Sequence, residues 1–99
     1  MEERTLSSFL ARVRGAASAG RVEIRTYALD GAREFGWDAA DVRAQLLDLV
    51  EADFLRTERS TAPEGGLIWV FTPDLWDGGY LWIRLIERKN IVVVSFHEG

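Results

Sequence analysis

The end of the chain carries two β-rich apolar runs separated by a short polar stretch, and this feature constrains the fold most strongly. The runs cover residues 80–86 and 91–98, and the polar residues 87–90 connect them. Valine, isoleucine and aromatic residues favour strands, and a short polar connection between two such runs is typical of a β-hairpin. We therefore predict that this segment forms a hairpin within a larger sheet.

Polar side chains recur at alternate positions of both runs. Because alternate residues of a strand point to the same face, Tyr80, Trp82 and Arg84 share one face of the first strand. Ser95 and His97, the only histidine in the chain, share a face of the second. A phenol, a guanidinium and an imidazole on one side of a sheet can form an acid-base site that needs no metal.

The length and composition favour a single folded domain over residues 1–99. The chain is 47% hydrophobic and has only two prolines, unlike a disordered chain. No apolar run is long enough to span a membrane, and the first residues lack the basic and then apolar layout of a secretion signal. We therefore predict a cytoplasmic protein that does not associate with membranes.

Side chains that bind metals or form disulfides are scarce. The absence of cysteine and the single histidine exclude disulfides, a thiol nucleophile and a site of several imidazoles within one chain. Asp74 and Asp77 lack the ligand spacing of a cation-binding loop, and we interpret them as turn formers. Phosphate-binding and dinucleotide fingerprints are also missing. We predict that the protein uses no metal and no cofactor.

The charge of the chain opposes a broad nucleic-acid-binding surface. The net charge is −4, and residues 1–50 carry seven basic and eight acidic side chains while residues 51–99 carry five and eight. Any phosphate site must therefore be local. Eleven of the twelve basic residues are arginine, which suits bidentate phosphate contacts, although a bias in genomic base composition explains the preference equally well.

Helical spacing of apolar residues predicts a first helix capped by Thr5. The small residues from Gly15 to Gly20 should end it, and the alternation in residues 21–26 predicts a short strand. The apolar stripe of the helix comprises Leu6, Phe9, Leu10 and Val13.

Two more helices are predicted before the remaining strands. The second covers residues 27–35 and should stop at Gly36. The third begins at Asp38, with which Asp41 forms a capping box. Its predicted buried stripe comprises Val42, Leu46, Leu49 and Val50.

From residue 54 onward the apolar period changes to two. Residues 54–59 and 67–72 read as strands joined by a turn at residues 60–66, and residues 73–79 form a loop before the hairpin. Helices that precede a run of strands indicate an α+β fold. We expect three helices packed on one face of a mostly antiparallel β-sheet.

The second and third helices followed by strands also fit, superficially, a winged helix-turn-helix. The would-be recognition helix carries Asp38, Asp41 and Asp48 against a single Arg43, so it would be repelled by the phosphates that line a major groove. We therefore predict no specific DNA binding by this chain on its own.

Several segments, taken in order, carry a resemblance to a known family. They are Glu-Ala-Asp-Phe-Leu-Arg at residues 51–56, Val-Phe-Thr-Pro-Asp-Leu at residues 70–75, Gly-Gly-Tyr-Leu-Trp-Ile at residues 78–83 and Val-Ser-Phe-His-Glu at residues 94–98. With the opening residues 1–5 and the Ala-Gly-Arg-Val turn at residues 19–22, they resemble the MqsR family of bacterial mRNA interferase toxins over nearly the whole chain.

This resemblance implies a RelE-like toxin fold and metal-free cleavage of single-stranded mRNA, with a preference for GC-containing sites, that inhibits translation. It also implies neutralisation by a cognate antitoxin, the other half of a type II toxin-antitoxin system. By position, it implies an active-site tyrosine at Tyr80, a basic site residue at Arg56 after Asp-Phe-x, and a further site residue at His97 after Ser-Phe.

RNA cleavage without a metal needs a base for the 2′-hydroxyl, cations for the developing phosphorane and an acid for the leaving oxygen. His97 is the natural proton carrier because histidine in unstructured peptides titrates near pH 6.5. Arg56 and Arg84 would stabilise negative charge, and Trp82 would stack on a base. Whether Tyr80 acts as acid, base or orienting group stays open.

The chain departs from the family pattern at one place. A glutamine associated with the family site would fall near Leu67 or Ile68, which are both apolar. This departure and the acidic net charge fit a second hypothesis, in which the chain is a catalytically silent relative that acts as a protein-binding module. The retention of Tyr80, Arg56 and His97 favours the ribonuclease.

Two structural expectations follow from the ribonuclease hypothesis. The side chains of Tyr80, Arg56 and His97 should lie on one face of the sheet, away from the helices, and close enough to contact a single phosphodiester. The antitoxin should bind a surface separate from this face or overlapping it only in part, such as the edge strand at residues 21–26 or the exposed side of the helices.

Overall fold

The computed structural model describes residues 5–63 and 65–99; the opening residues 1–4, which contribute to the resemblance, lie outside this range. The elements, in chain order, are α1 (Leu6–Ala19), β1 (Val22–Ile24), α2 (Thr26–Arg33), α3 (Ala39–Asp48), a 3₁₀ turn (Glu51–Asp53), β2 (Phe54–Arg59), β3 (Leu67–Phe71), β4 (Leu81–Glu87) and β5 (Ile91–Glu98). Among the described residues, five strands form one sheet in the order β1-β5-β4-β3-β2, in which β1 and β5 are parallel and the other pairs antiparallel. The predicted α+β fold is therefore confirmed.

Helix α1 begins as predicted and ends within the predicted run of small residues, at its far end. The Thr5 hydroxyl accepts a hydrogen bond from the backbone N–H of Ser8 at 3.3 Å. The helix continues through Gly15 because Ala16 and Ala17 still bury their side chains in the core. It ends where Gly20 adopts a φ of 73°, a left-handed conformation that glycine adopts at little cost.

The capping box of α3 is confirmed. The backbone N–H of Asp41 donates to Asp38 Oδ1 at 3.0 Å, and the Asp41 carboxylate accepts from the backbone of Asp38 at 2.9 Å. The hydrogen bond from the Asp41 N–H lowers the pKa of Asp38. Of the predicted stripe, Val42, Leu46 and Leu49 are buried. Val50 is 49% exposed, so its prediction is wrong: α3 ends at Asp48 and the backbone is already extended at Leu49.

The core lies between the three helices and one face of the sheet; α2 contributes the fully buried Ala28 and Ala32. Leu81, Ile83 and Leu85 of β4 are fully buried in it. The ring of Phe9 stacks on Trp69 with the centroids 4.3 Å apart, which ties α1 to β3. No helix within the described residues has both the length and the apolar character that crossing a bilayer requires.

Helix α2 lies alongside the last strand. Strand β1 pairs with residues 91–93 of β5, and α2 packs against the later part of β5. An ideal Cβ on Gly31 would overlap the carbonyl oxygen of Phe96 and would lie 3.2 Å from the Cβ of His97. The missing side chain of Gly31 therefore permits the close approach of α2 to this end of the sheet.

Candidate active site

The sheet face opposite the helical core, which we call the open face, carries the polar residues of the terminal hairpin. Because Leu81, Ile83 and Leu85 point into the core, the alternating residues Trp82 and Arg84 project from the open face. Trp82 pairs with His97 in β5, and Arg84 pairs with Ser95. Side chains of directly paired residues lie on the same face, so His97 and Ser95 also belong to the open face.

A bulge in β5 is what brings His97 to the open face. Leu85 pairs with Val93 and Arg84 pairs with Ser95, so the pairing skips Val94. An extra residue in one strand shifts its alternation by one position. Val93, Ser95 and His97 are alternate residues and would share one face of a regular strand. Because of the bulge, Val93 is fully buried in the core while Ser95 and His97 face the other way.

A second bulge, in β2, brings Arg56 to the open face. Phe54 pairs with Phe71, and Arg56 pairs with Val70, so Leu55 is skipped. Phe54 packs against the core. Arg56 pairs with Val70, and Val70 in turn pairs with Arg84. Arg56 and Arg84 therefore lie at the same level of the open face, separated by one strand.

Tyr80 lies at the end of the open face next to Trp82. Its carbonyl accepts a hydrogen bond from the Gly99 N–H at 2.9 Å, which extends the pairing of β4 with β5. An ideal Cβ on Gly99 would overlap the Tyr80 ring, and Gly99 follows His97 by two positions. The tyrosine ring therefore packs over Gly99 on the face that carries His97, and 42% of Tyr80 is exposed.

Glu58, which neither motif nor alternation singles out, bridges Arg56 and Arg84, and both arginines lie over the ring of Trp82. Arg56 donates to Glu58 Oε2 from Nη2 at 2.7 Å and from Nε at 3.0 Å. Arg84 Nε donates to Glu58 Oε1 at 3.0 Å. The Cζ atoms of Arg56 and Arg84 lie 5.4 and 5.2 Å from the centroid of the Trp82 ring, within the range of cation–π attraction.

The two arginines determine the net charge of the cluster formed by Arg56, Glu58 and Arg84. Desolvation raises the pKa of Glu58, but the hydrogen bonds from Arg56 and Arg84 and their positive charges outweigh it, and the net shift is downward. Glu58 is therefore ionised at neutral pH. Two guanidinium groups face one carboxylate, which leaves this part of the open face positively charged in a chain whose net charge is −4.

The environment of His97 selects one tautomer of its ring. Nδ1 lies 2.8 Å from the carbonyl oxygen of Glu98. A carbonyl oxygen can only accept, so Nδ1 carries the proton and the neutral ring has its lone pair on Nε2. This nitrogen is available to take up a proton.

The expectation that the site lies clear of the helices is not met at His97. This residue lines a cavity of about 270 Å³ between α2 and the end of β5. The other lining residues are Tyr27, Asp30, Gly31, Glu34, Phe35 and Glu98. His97 therefore stands at the border between the open face and α2.

Strand β3 shows what occupies the place of the family glutamine. Ile68 pairs with Glu58 and with Ile86, which places it on the open face, and Leu67 points to the other side. Neither side chain can donate or accept a hydrogen bond. Within the described part of the chain, no group of three or more His, Asp or Glu side chains is arranged to hold a metal ion.

Comparisons with known proteins agree with the resemblance found in the sequence. Residues 7–98 match the model of the family described as "Motility quorum-sensing regulator, toxin of MqsA". The chain belongs to the MqsR toxin family. It is also 34% identical to the mRNA interferase toxin MqsR of Escherichia coli (strain K12) over 100 residues, which cover 99% of each chain.

Proposed function

We propose that this chain is the toxin of a type II toxin-antitoxin system, an endoribonuclease that cleaves single-stranded mRNA without a metal and thereby inhibits translation. The chain belongs to a toxin family, and a relative that matches its whole length is named an mRNA interferase. The observation that supports the proposal is the shared sheet face of Tyr80, Arg84, His97 and Arg56.

The reaction that these groups support is attack by a ribose 2′-hydroxyl on the adjacent phosphorus. The 2′-oxygen forms a bond to phosphorus while the bond to the 5′-oxygen breaks. The products are a 2′,3′-cyclic phosphate and a free 5′-hydroxyl. One proton leaves the 2′-oxygen and one reaches the 5′-oxygen, so the reaction needs a base, an acid and stabilisation of the charge on the phosphorane.

We assign these roles by the chemistry of each side chain. His97 Nε2 takes or supplies a proton, since Nδ1 is committed to the Glu98 carbonyl. Arg56 and Arg84 stabilise the phosphorane, because guanidinium groups match the geometry of phosphate oxygens. Tyr80 supplies the complementary proton transfer or orients the phosphate, and Trp82 stacks on a base of the substrate.

We further propose that residues 1–99 act as one ribonuclease domain in the cytoplasm, with a cognate antitoxin as partner. The β1 edge is a suitable surface for the antitoxin because β1 pairs with residues 91–93, at the end of β5 remote from His97. A strand added there would leave the open face accessible. No cofactor is needed by this mechanism.

The test is incubation of the purified chain with a long single-stranded RNA in EDTA. We expect cleavage products that end in a cyclic phosphate and begin with a 5′-hydroxyl. A matched DNA strand should stay intact, because it lacks the attacking hydroxyl. Intact RNA would overturn the proposal and favour the protein-binding module, whereas cleavage of both strands would overturn the 2′-hydroxyl mechanism.

A further inference from the structure

We propose that Glu58 is a positioning residue, which holds Arg56 and Arg84 in the arrangement that receives one phosphate of the RNA. The proposal rests on the proposed ribonuclease function and assigns a role to a residue that neither charge nor motif singled out. Glu58 would not touch the reacting atoms; it would act through the two arginines.

The contacts of the Glu58 carboxylate show how one side chain can place two cations. Oε2 accepts hydrogen bonds from Arg56, and Oε1 accepts one from Arg84. The two arginines lie on β2 and β4, with β3 between them. Two guanidinium groups near one indole ring would otherwise repel each other. The carboxylate offsets this repulsion, and its side chain is only 25% exposed, which limits screening by solvent.

The same contacts leave donors available for a ligand. Arg56 uses Nε and Nη2, and Arg84 uses Nε. Among the described residues, the Nη1 groups of both arginines and Nη2 of Arg84 have no hydrogen-bond acceptor. Guanidinium groups that are already ordered lose less conformational entropy when they bind a phosphate, and they meet the transition state in a fixed geometry.

A carboxylate beside a phosphate site has an opposing effect on binding. Its negative charge repels the RNA backbone, so Glu58 weakens the ground-state complex even while it orders the arginines. Positioning and repulsion therefore predict different kinetics. If Glu58 only repelled RNA, its neutralisation would raise kcat/KM, whereas loss of positioning lowers kcat.

The test is the steady-state cleavage of a defined RNA oligonucleotide in EDTA by wild type, Glu58→Gln and Glu58→Asp. For Glu58→Gln we expect KM to be unchanged or lower and kcat to fall by about 10–100-fold. Glu58→Asp keeps the negative charge, but the aspartate side chain is too short to reach both guanidinium groups. Its kcat should therefore fall, and its KM should not be lower than that of wild type. Glu51→Gln removes one exposed charge from the 3₁₀ turn at residues 51–53, outside the site, and should leave both constants unchanged.

A double-mutant cycle separates positioning from an unrelated structural effect. In an Arg84→Ala background, Glu58→Gln should lower kcat by a smaller factor than in the wild-type background, since one of the groups it positions is gone. Circular dichroism and the thermal midpoint of each variant establish that the fold is retained.

The outcomes distinguish this proposal from the one it rests on. A wild-type chain that leaves RNA intact overturns the proposed function and the positioning role together. If wild type cleaves RNA and Glu58→Gln has an equal or higher kcat, or if the two substitutions are fully additive, only the positioning role is overturned.

Discussion

The close approach of α2 to β5 predicts that one substitution, glycine to alanine, has opposite effects in two helices. Gly15 lies inside α1 with nothing within 4 Å of an ideal Cβ. Alanine is preferred over glycine in a helix by about 0.5–1 kcal/mol, so Gly15→Ala should stabilise the protein by about that amount. Gly31 lies inside α2, where a Cβ would overlap the carbonyl oxygen of Phe96.

The expected difference in stability between Gly31→Ala and Gly15→Ala can be worked out because both variants replace glycine with alanine inside a helix. Both variants gain the same helix preference, so the difference in their free energies of unfolding equals the cost of the overlap at Gly31. Overpacking typically costs about 1–3 kcal/mol. For a domain of this size, each kcal/mol corresponds to about 4–8 °C, so the midpoint of Gly31→Ala should lie roughly 4–24 °C below that of Gly15→Ala.

Thermal unfolding followed by circular dichroism measures this difference directly. Because α2 must move away from His97 to accommodate the methyl group, RNA cleavage by Gly31→Ala should also fall, while Gly15→Ala should cleave at the wild-type rate. Equal midpoints for the two variants, or a higher midpoint for Gly31→Ala, would refute the packing of α2 on β5 described above.

Three further predictions concern the buried face of α3, the positive charge at the phosphate site and the dependence of stability on pH. Leu46 is fully buried and Leu47 is 42% exposed, so Leu46→Ala should cost about 2–5 kcal/mol and Leu47→Ala distinctly less in urea unfolding; equal costs would contradict the assigned face of α3. Arg56→Ala should weaken RNA binding and reduce the slope of log K against log salt by about one, and an unchanged slope would remove Arg56 from the phosphate site. The pKa of Glu58 is lowered from 4.5, so its ion pairs stabilise the fold above that value and are lost as pH falls through the folded-state pKa. The stability gap between wild type and Glu58→Gln should therefore shrink between pH 6 and pH 3, and a gap that stays constant would contradict this linkage.

The terminal hairpin was predictable because alternation is a local property. Alternation assigns Tyr80, Trp82 and Arg84 to one face of β4 and assigns Ser95 and His97 to one face of β5. The register confirms that Trp82, Arg84, Ser95 and His97 share the open face. The prediction holds because residues 80–84 and 95–97 contain no bulge. The pairing of β1 with β5 and the order of the strands could not be deduced from such local patterns.

The bulges themselves could not be predicted from periodicity. Strict alternation would place Phe54 and Arg56 on one face and Val93 and His97 on one face, whereas the register separates each pair. A bulge depends on the pairing with the neighbouring strand, which a single segment does not reveal. Both bulges lie where they turn a polar site residue away from the core.

The close approach of α2 to β5 and the role of Glu58 are not evident from local sequence patterns, for different reasons. The approach of α2 depends on Gly31 meeting the backbone of Phe96, a contact between segments that are remote in sequence. Glu58 had a detectable signal, since it follows Arg56 by two positions on the same strand. This spacing alone does not predict a site residue, because an acidic side chain does not match the expected chemistry of a phosphate site.

The most direct test of the account compares RNA cleavage in EDTA by wild type, Tyr80→Phe and His97→Ala. Neither side chain belongs to the helix-sheet core, so both variants should retain the fold, which circular dichroism verifies. If acid-base transfer takes place on the open face, each substitution should lower the single-turnover rate by about 10²–10⁴-fold. Wild-type rates in both folded variants would contradict the assignment of the active site to the open face.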